Sequence, residues 1–231
     1  ATSALNKITA NPETRKLLRD QQKTGMAAIY KEFASRMKLT PEQTDKLNDA
    51  LADNIMDNVD RVTEALRDNP KPDELRRMFA EQDQAFAEKV KEVLGPEAAA
   101  QYQEYTKNLG SYLTSQQWKG QLSGDDAARE EKSKKVYQLM QEETQTALTA
   151  AGLPQDYQTV PMLNFRNIAS EEEGESSLKL LDGIYERMTA RAAAFLSPED
   201  LAKFQEYRTA ALNNSRAALV INRKMMAPIG K

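Results

Sequence analysis

Asp45, Asp49, Asp53 and Asp57 fall four residues apart, and Asp60 follows. On a helix these carboxylates share one face, where like charges at that spacing cost about 0.3 kcal/mol per pair. No Lys or Arg follows Asp45, Asp49 or Asp53 by three or four residues, and Arg61 can serve only Asp57. Relief must come from outside the helix. Cross-helix pairs from Arg15, Lys16, Arg19, Arg76 or Arg77 on a solvated face are the expected source. The alternative is an oxygen-only site for a divalent cation at Asp49, Asp53 and Asp57, or a dock for a basic partner. A single helix sets carboxylates in a row rather than a cage, which favours the first reading.

Two further groups carry polar chemistry. Asp156, Tyr157, Asn164, Arg166 and Asn167 crowd into 153–169, a stretch with weak periodicity and two prolines. Long irregular segments inside helical domains often hold function, and Arg166 has the fork to clamp a carboxylate or phosphate. The plain alternative is a connector whose polar groups satisfy backbone. Near the end, Tyr207, Ala211, Asn214, Ala218, Ile221 and Met225 share a helical face, with Arg216 and Arg223 close in sequence. Asn214 would then be a buried amide needing a partner. Glu104-Tyr105 and Glu206-Tyr207 repeat the same pair. A ligand-binding set of Tyr105, Tyr157, Asn164, Arg166 and Arg223 follows. An alternative catalytic set of Arg166, Tyr207, Asn214 and Arg216 would polarise an ester or phosphoester without histidine.

The 231 residues contain no histidine and no cysteine. That removes Ser-His-Asp and Cys-His nucleophilic machinery, thiolate zinc, iron–sulfur clusters and the usual haem ligands. No cofactor is expected. The net charge of −3, from 32 basic and 35 acidic residues, argues against a nucleic-acid partner. No apolar run is long enough for a membrane span. Hydrophobic residues at 40% suit a globular chain. The mean hydropathy of −0.71 points to slim helices with wide polar faces, hence an elongated bundle.

What positions these groups is a set of helix starts. Asn11-Pro12, Thr40-Pro41-Glu42, Gly95-Pro96-Glu97 and Ser197-Pro198-Glu199 place Pro at the first helical position and Glu at the positive end of the helix dipole. Thr40 and Ser197 add capping side chains. Thr114 with Gln117, and Ser170 with Glu173, read as capping boxes, the former stapled by Leu113 and Trp118. Apolar residues recur at helical spacing through 12–37, 41–69, 72–94, 96–112, 125–151, 171–195 and 198–225. The expected fold is therefore all-α, a bundle of about seven helices. Methionines 26, 37, 78 and 188 fall on its apolar stripes and read as core filling.

The phrase Leu-x-Pro-Glu-x-x-Ala-x-aromatic-Gln-Glu-Tyr occurs at 94–105 and again at 196–207. It suggests two duplicated helical halves, 1–120 and 125–231, packed as one domain and joined at the linker-like 120–124, with 153–169 as an eroded helix. Leu39-Thr40-Pro41-Glu42-Gln43 and Leu113-Thr114-Ser115-Gln116-Gln117 resemble the Leu-Thr-x-x-Gln signature of the Spy/CpxP-like periplasmic stress-protein family. The resemblance implies a helical periplasmic protein that cradles unfolded clients, often as a homodimer. The start at Ala1 rather than Met reads as loss of an upstream signal or anchor, giving a periplasmic or secreted expectation. The function expected is non-enzymatic, chaperone-like binding of an unfolded client or small ligand in the bacterial envelope. A histidine-free, metal-independent hydrolase is the alternative.

Overall fold

The computed structural model describes residues 2–230, and these form an all-α fold of ten α-helices with no strand among them. The chain divides into two compact units, Ala1–Tyr105 with Val220–Lys231, and Thr106–Leu219.

In the first unit, α1 (Ala4–Thr9), α2 (Pro12–Arg36), α3 (Pro41–Asp68), α4 (Pro72–Leu94) and most of α5 (Pro96–Lys107) follow in order. Each start has a local cause. The Asn11 side chain accepts from the Glu13 and Thr14 amides, and Thr40 and Gln43 close a reciprocal capping box. Asn69 ends α3 in the left-handed conformation at φ 50°. Helix α3 packs between α2 and α4; its Leu47, Leu51 and Val62 are buried, as are Met26 and Phe33 of α2 and Phe79 of α4. Tyr102 of α5 stacks on Tyr30 at 5.3 Å and meets Phe33 edge-on at 5.9 Å.

The second unit holds α6 (Leu109–Lys119), α7 (Asp126–Ala150), a 3-10 turn (Pro161–Leu163), α8 (Arg166–Ala169), α9 (Glu171–Ala192) and most of α10 (Pro198–Met226). Its core gathers Val136, Met140, Ile184, Tyr185 and Met188 around Trp118 and Phe204, whose rings lie 4.4 Å apart. The irregular 153–169 segment comes so close to α6 that a Cβ on Gly110 would sit 2.8 Å from the Thr159 hydroxyl. The Asn167 amide nitrogen donates to the Pro161 carbonyl, tying the segment to itself.

Four expectations are corrected. There are ten helices rather than seven, because the expected 96–112 helix breaks at Asn108, a weak helix former, and short α1 and α8 are added. Thr114 and Gln117 lie inside α6 and start nothing. The face of α10 that turns inward carries Leu219 and Met226, while Ile221 and Met225 are 57% and 37% exposed. Asn214, on the expected stripe, is likewise exposed.

The 120–124 stretch is no joint between units, whose divisions fall inside α5 and α10. Leu122 is in the core of the second unit. The fully buried Asp200 carboxylate accepts from the Ser123 amide and hydroxyl, both at 2.8 Å, and from the Lys132 ammonium at 3.0 Å. Burial pushes the Asp200 carboxyl up, but the Ser123 and Lys132 bonds outweigh it and hold the group below the usual carboxylate range.

Helices α2 and α7 end alike. Lys38 and Gly152 take φ 52° and 65°. The following amides, of Leu39 and Leu153, reach back to Ala34 and Leu148 in Schellman geometry. A lysine in this conformation is strained where glycine is not. Lys38→Gly should therefore raise unfolding stability by about 1 kcal/mol, and Gly152→Ala should lower it by a similar amount, both read from urea midpoints.

Asp200→Ala should cost about 3 kcal/mol, because Lys132 keeps a largely buried charge without its carboxylate. A depressed carboxyl contributes stability above its unfolded value and loses it below. The wild-type advantage over Asp200→Asn should thus be complete above about pH 5 and shrink as pH falls through about 4. Urea unfolding across that range checks this.

Candidate functional site: a cleft between two helices of the second unit

Helix α9 opens on Ser170, whose hydroxyl accepts from the Glu173 amide. One face carries Glu175, Lys179 and Asp182 at successive turns, while Leu178, Leu181 and Ile184 face inward. Helix α10 opens where the Ser197 hydroxyl accepts from the Asp200 amide, and it presents Arg208, Leu212 and Arg216, again a turn apart. Between these faces lies an open cleft of about 650 Å³. Its remaining lining includes Gln205, Thr209 and Asn213 from α10, and Ser176 and Leu178 from α9.

Charge is ordered along this cleft. Arg208 donates to Asp182 at 2.6 Å, and Arg216 grips Glu175 through two nitrogens at 3.2 and 3.3 Å. The Glu175 bond raises the already basic Arg216 further. Lys179, between the two pairs, is exposed and has no carboxylate among the described residues within ion-pair distance. A second groove of about 570 Å³ runs along the other flank of α9, lined by Ala147, Ala150, Leu180 and Arg187, and shares Ser176 and Lys179 with the first. The arrangement can hold a ligand with both apolar and charged parts. No nucleophile paired with a base lines it.

The residues singled out from the sequence are placed apart. Of the alternative catalytic set, Arg216 alone lines the cleft. The Tyr207 ring meets Tyr185 edge-on, and its hydroxyl donates to the Gln117 carbonyl oxygen at 2.8 Å. Arg166 sits in α8, its carbonyl accepting from the Ser170 amide, and Asn214 faces solvent. Of the expected ligand-binding set, Tyr105 is buried in the first unit, where its hydroxyl donates to the Ile29 carbonyl at 2.9 Å. Tyr157 is buried, with its amide on Pro154, and the Asn164 carbonyl caps Asn167. Arg223 lies in the part of α10 that belongs to the first unit.

The acidic face of α3 is matched by a basic face of α2. Arg15 forks onto Asp60 at 2.8 and 3.2 Å. Arg19 bridges Asp49 and Asp53, and Lys23 bridges Asp45 and Asp49. Asp57 lies within the field of Arg15. Bonds from Lys23 and Arg19 hold the Asp49 carboxyl below its usual range. Arg15 and Arg19 answer the expected pairing; Lys16 turns to Asp20 and Arg76 to Asp73 instead. Among the described residues no group of three or more acidic side chains is set to hold a metal ion, and none of the helices is long and apolar enough to cross a membrane.

Comparison with protein-family models, curated proteins and solved structures finds no match to this chain.

Lys179, Arg208 and Leu212 escaped the sequence reading. Their signal was present as turn spacing on two helices, but it becomes a site only once those helices are known to be neighbours. For Tyr207 the geometry assigns a bridging role between α9 and α6. Tyr207→Phe should lower stability by about 0.5 kcal/mol, the low end for an exposed hydroxyl bond, when unfolding is followed by circular dichroism.

Proposed function

We propose that this chain is a non-enzymatic binding protein that holds segments of other polypeptides in the α9/α10 cleft. The observation that carries this reading is the cleft's lining: leucines at its floor, and at its rim guanidinium–carboxylate pairs and one unpaired ammonium. An open cleft of this kind suits an amphipathic segment. Binding is preferred over the hydrolase alternative because, of the four residues that alternative would use, Arg216 lines the cleft while Tyr207, Arg166 and Asn214 do not. The Leu39–Gln43 capping box, through its likeness to the periplasmic stress proteins, supports a place in the bacterial envelope.

Asn213 is exposed and lines the cleft, so Asn213→Trp fills it without disturbing the core. The wild-type protein should slow aggregation of a chemically denatured model client, read by light scattering, and Asn213→Trp should lose most of that protection. Equal protection by both proteins, or none by the wild type, overturns the reading.

A further inference from the structure

Two of the ion pairs in the cleft act as rungs between α9 and α10. Asp182 meets Arg208, and Glu175 meets Arg216, so residue numbers run in opposite senses along the two helices. Lys179 of α9 and Leu212 of α10 lie one turn inside both rungs, and both line the cleft. The register therefore sets them opposite each other. In the α2/α3 ladder the corresponding ammonium, Lys23, finds Asp45 and Asp49, each at 2.8 Å. In the α9/α10 ladder the partner position holds an aliphatic side chain. Glu175 and Asp182 are already engaged by arginines, which leaves Lys179 as the one uncompensated charge among the residues lining the cleft. Beside it, the half-buried Leu212 offers apolar surface.

We infer that the cleft selects client segments carrying a carboxylate next to an aliphatic side chain. The carboxylate completes the open rung on Lys179, and the aliphatic group packs on Leu212. This rests on the binding role proposed above and adds a charge preference to it.

The test uses a short, terminally blocked, fluorescent peptide with Leu and Glu one helical turn apart, beside its counterpart with Lys in place of Glu. Anisotropy titrations should show the wild-type protein binding the acidic peptide about fivefold more tightly than the basic one. Lys179→Gln, at an exposed position, should remove that preference. Leu212→Glu should remove it too, by giving Lys179 an internal carboxylate, and circular dichroism establishes that this variant is folded. A preference that survives Lys179→Gln overturns the inference, as does equal binding of both peptides. Sedimentation showing a dimer that Leu212→Glu dissociates would place a second copy in the cleft and overturn it as well. Client protection that Asn213→Trp abolishes, without any charge preference, sinks the selectivity and spares the binding role. Protection indifferent to Asn213→Trp sinks the binding role itself.

Discussion

Antiparallel helices that carry charges one turn apart come into register as a set. Once one ion pair forms, the next residues along each helix are placed opposite each other by the shared 5.4 Å pitch. Arg15, Arg19 and Lys23 on α2 meet the aspartates of α3 in this way, and every cation in that ladder finds a carboxylate. Such pairs are largely exposed, and each contributes little to stability. Their consequence is positional, since they set which side chains face each other along the two helices. The same rule makes the α9/α10 cleft legible, because the two outer rungs fix what faces Lys179.

Packing inside each unit relies on aromatic clusters delivered by one recurring phrase. In the first unit Tyr102 and Tyr105 reach Tyr30 and Phe33. In the second, Phe204 and Tyr207, at matching places in the phrase, reach Trp118 and Tyr185. Both sets favour tilted or edge-on contacts, as ring quadrupoles prefer. The hydroxyls differ in use. Tyr105 donates to backbone, while Tyr207 donates to the Gln117 side chain.

Helix starts were readable from the sequence because a cap is a local event. Asn11, Thr40 and Ser170 each bond amides within three residues, whatever the rest of the chain does. The acidic ladder and two of its cations were readable for a related reason: unpaired like charges on one helix demand a partner. What lay beyond reach depends on which helix is opposite. The inward face of α10 is decided by Leu219 and Met226 finding neighbours, although the stripe through Ile221 and Met225 reads equally well in isolation. Gly120–Gly124 carries linker composition, yet Asp200, remote in sequence, anchors Ser123. Thr114 and Gln117 have capping spacing but lie inside α6, where Gln117 accepts from Tyr207 instead. In each case a tertiary partner outweighed a local preference.

The approach of Thr159 to Gly110 ties two distant stretches of sequence together. The irregular segment lies against α6 only because one position lacks a side chain and the facing residue is small. Over evolutionary time these two sites are not free to drift separately. A lineage that acquires a methyl group at 110 must shrink or redirect the residue at 159, or let the strap lift from the helix. Among descendants of this chain, the pair should therefore change together or stay fixed.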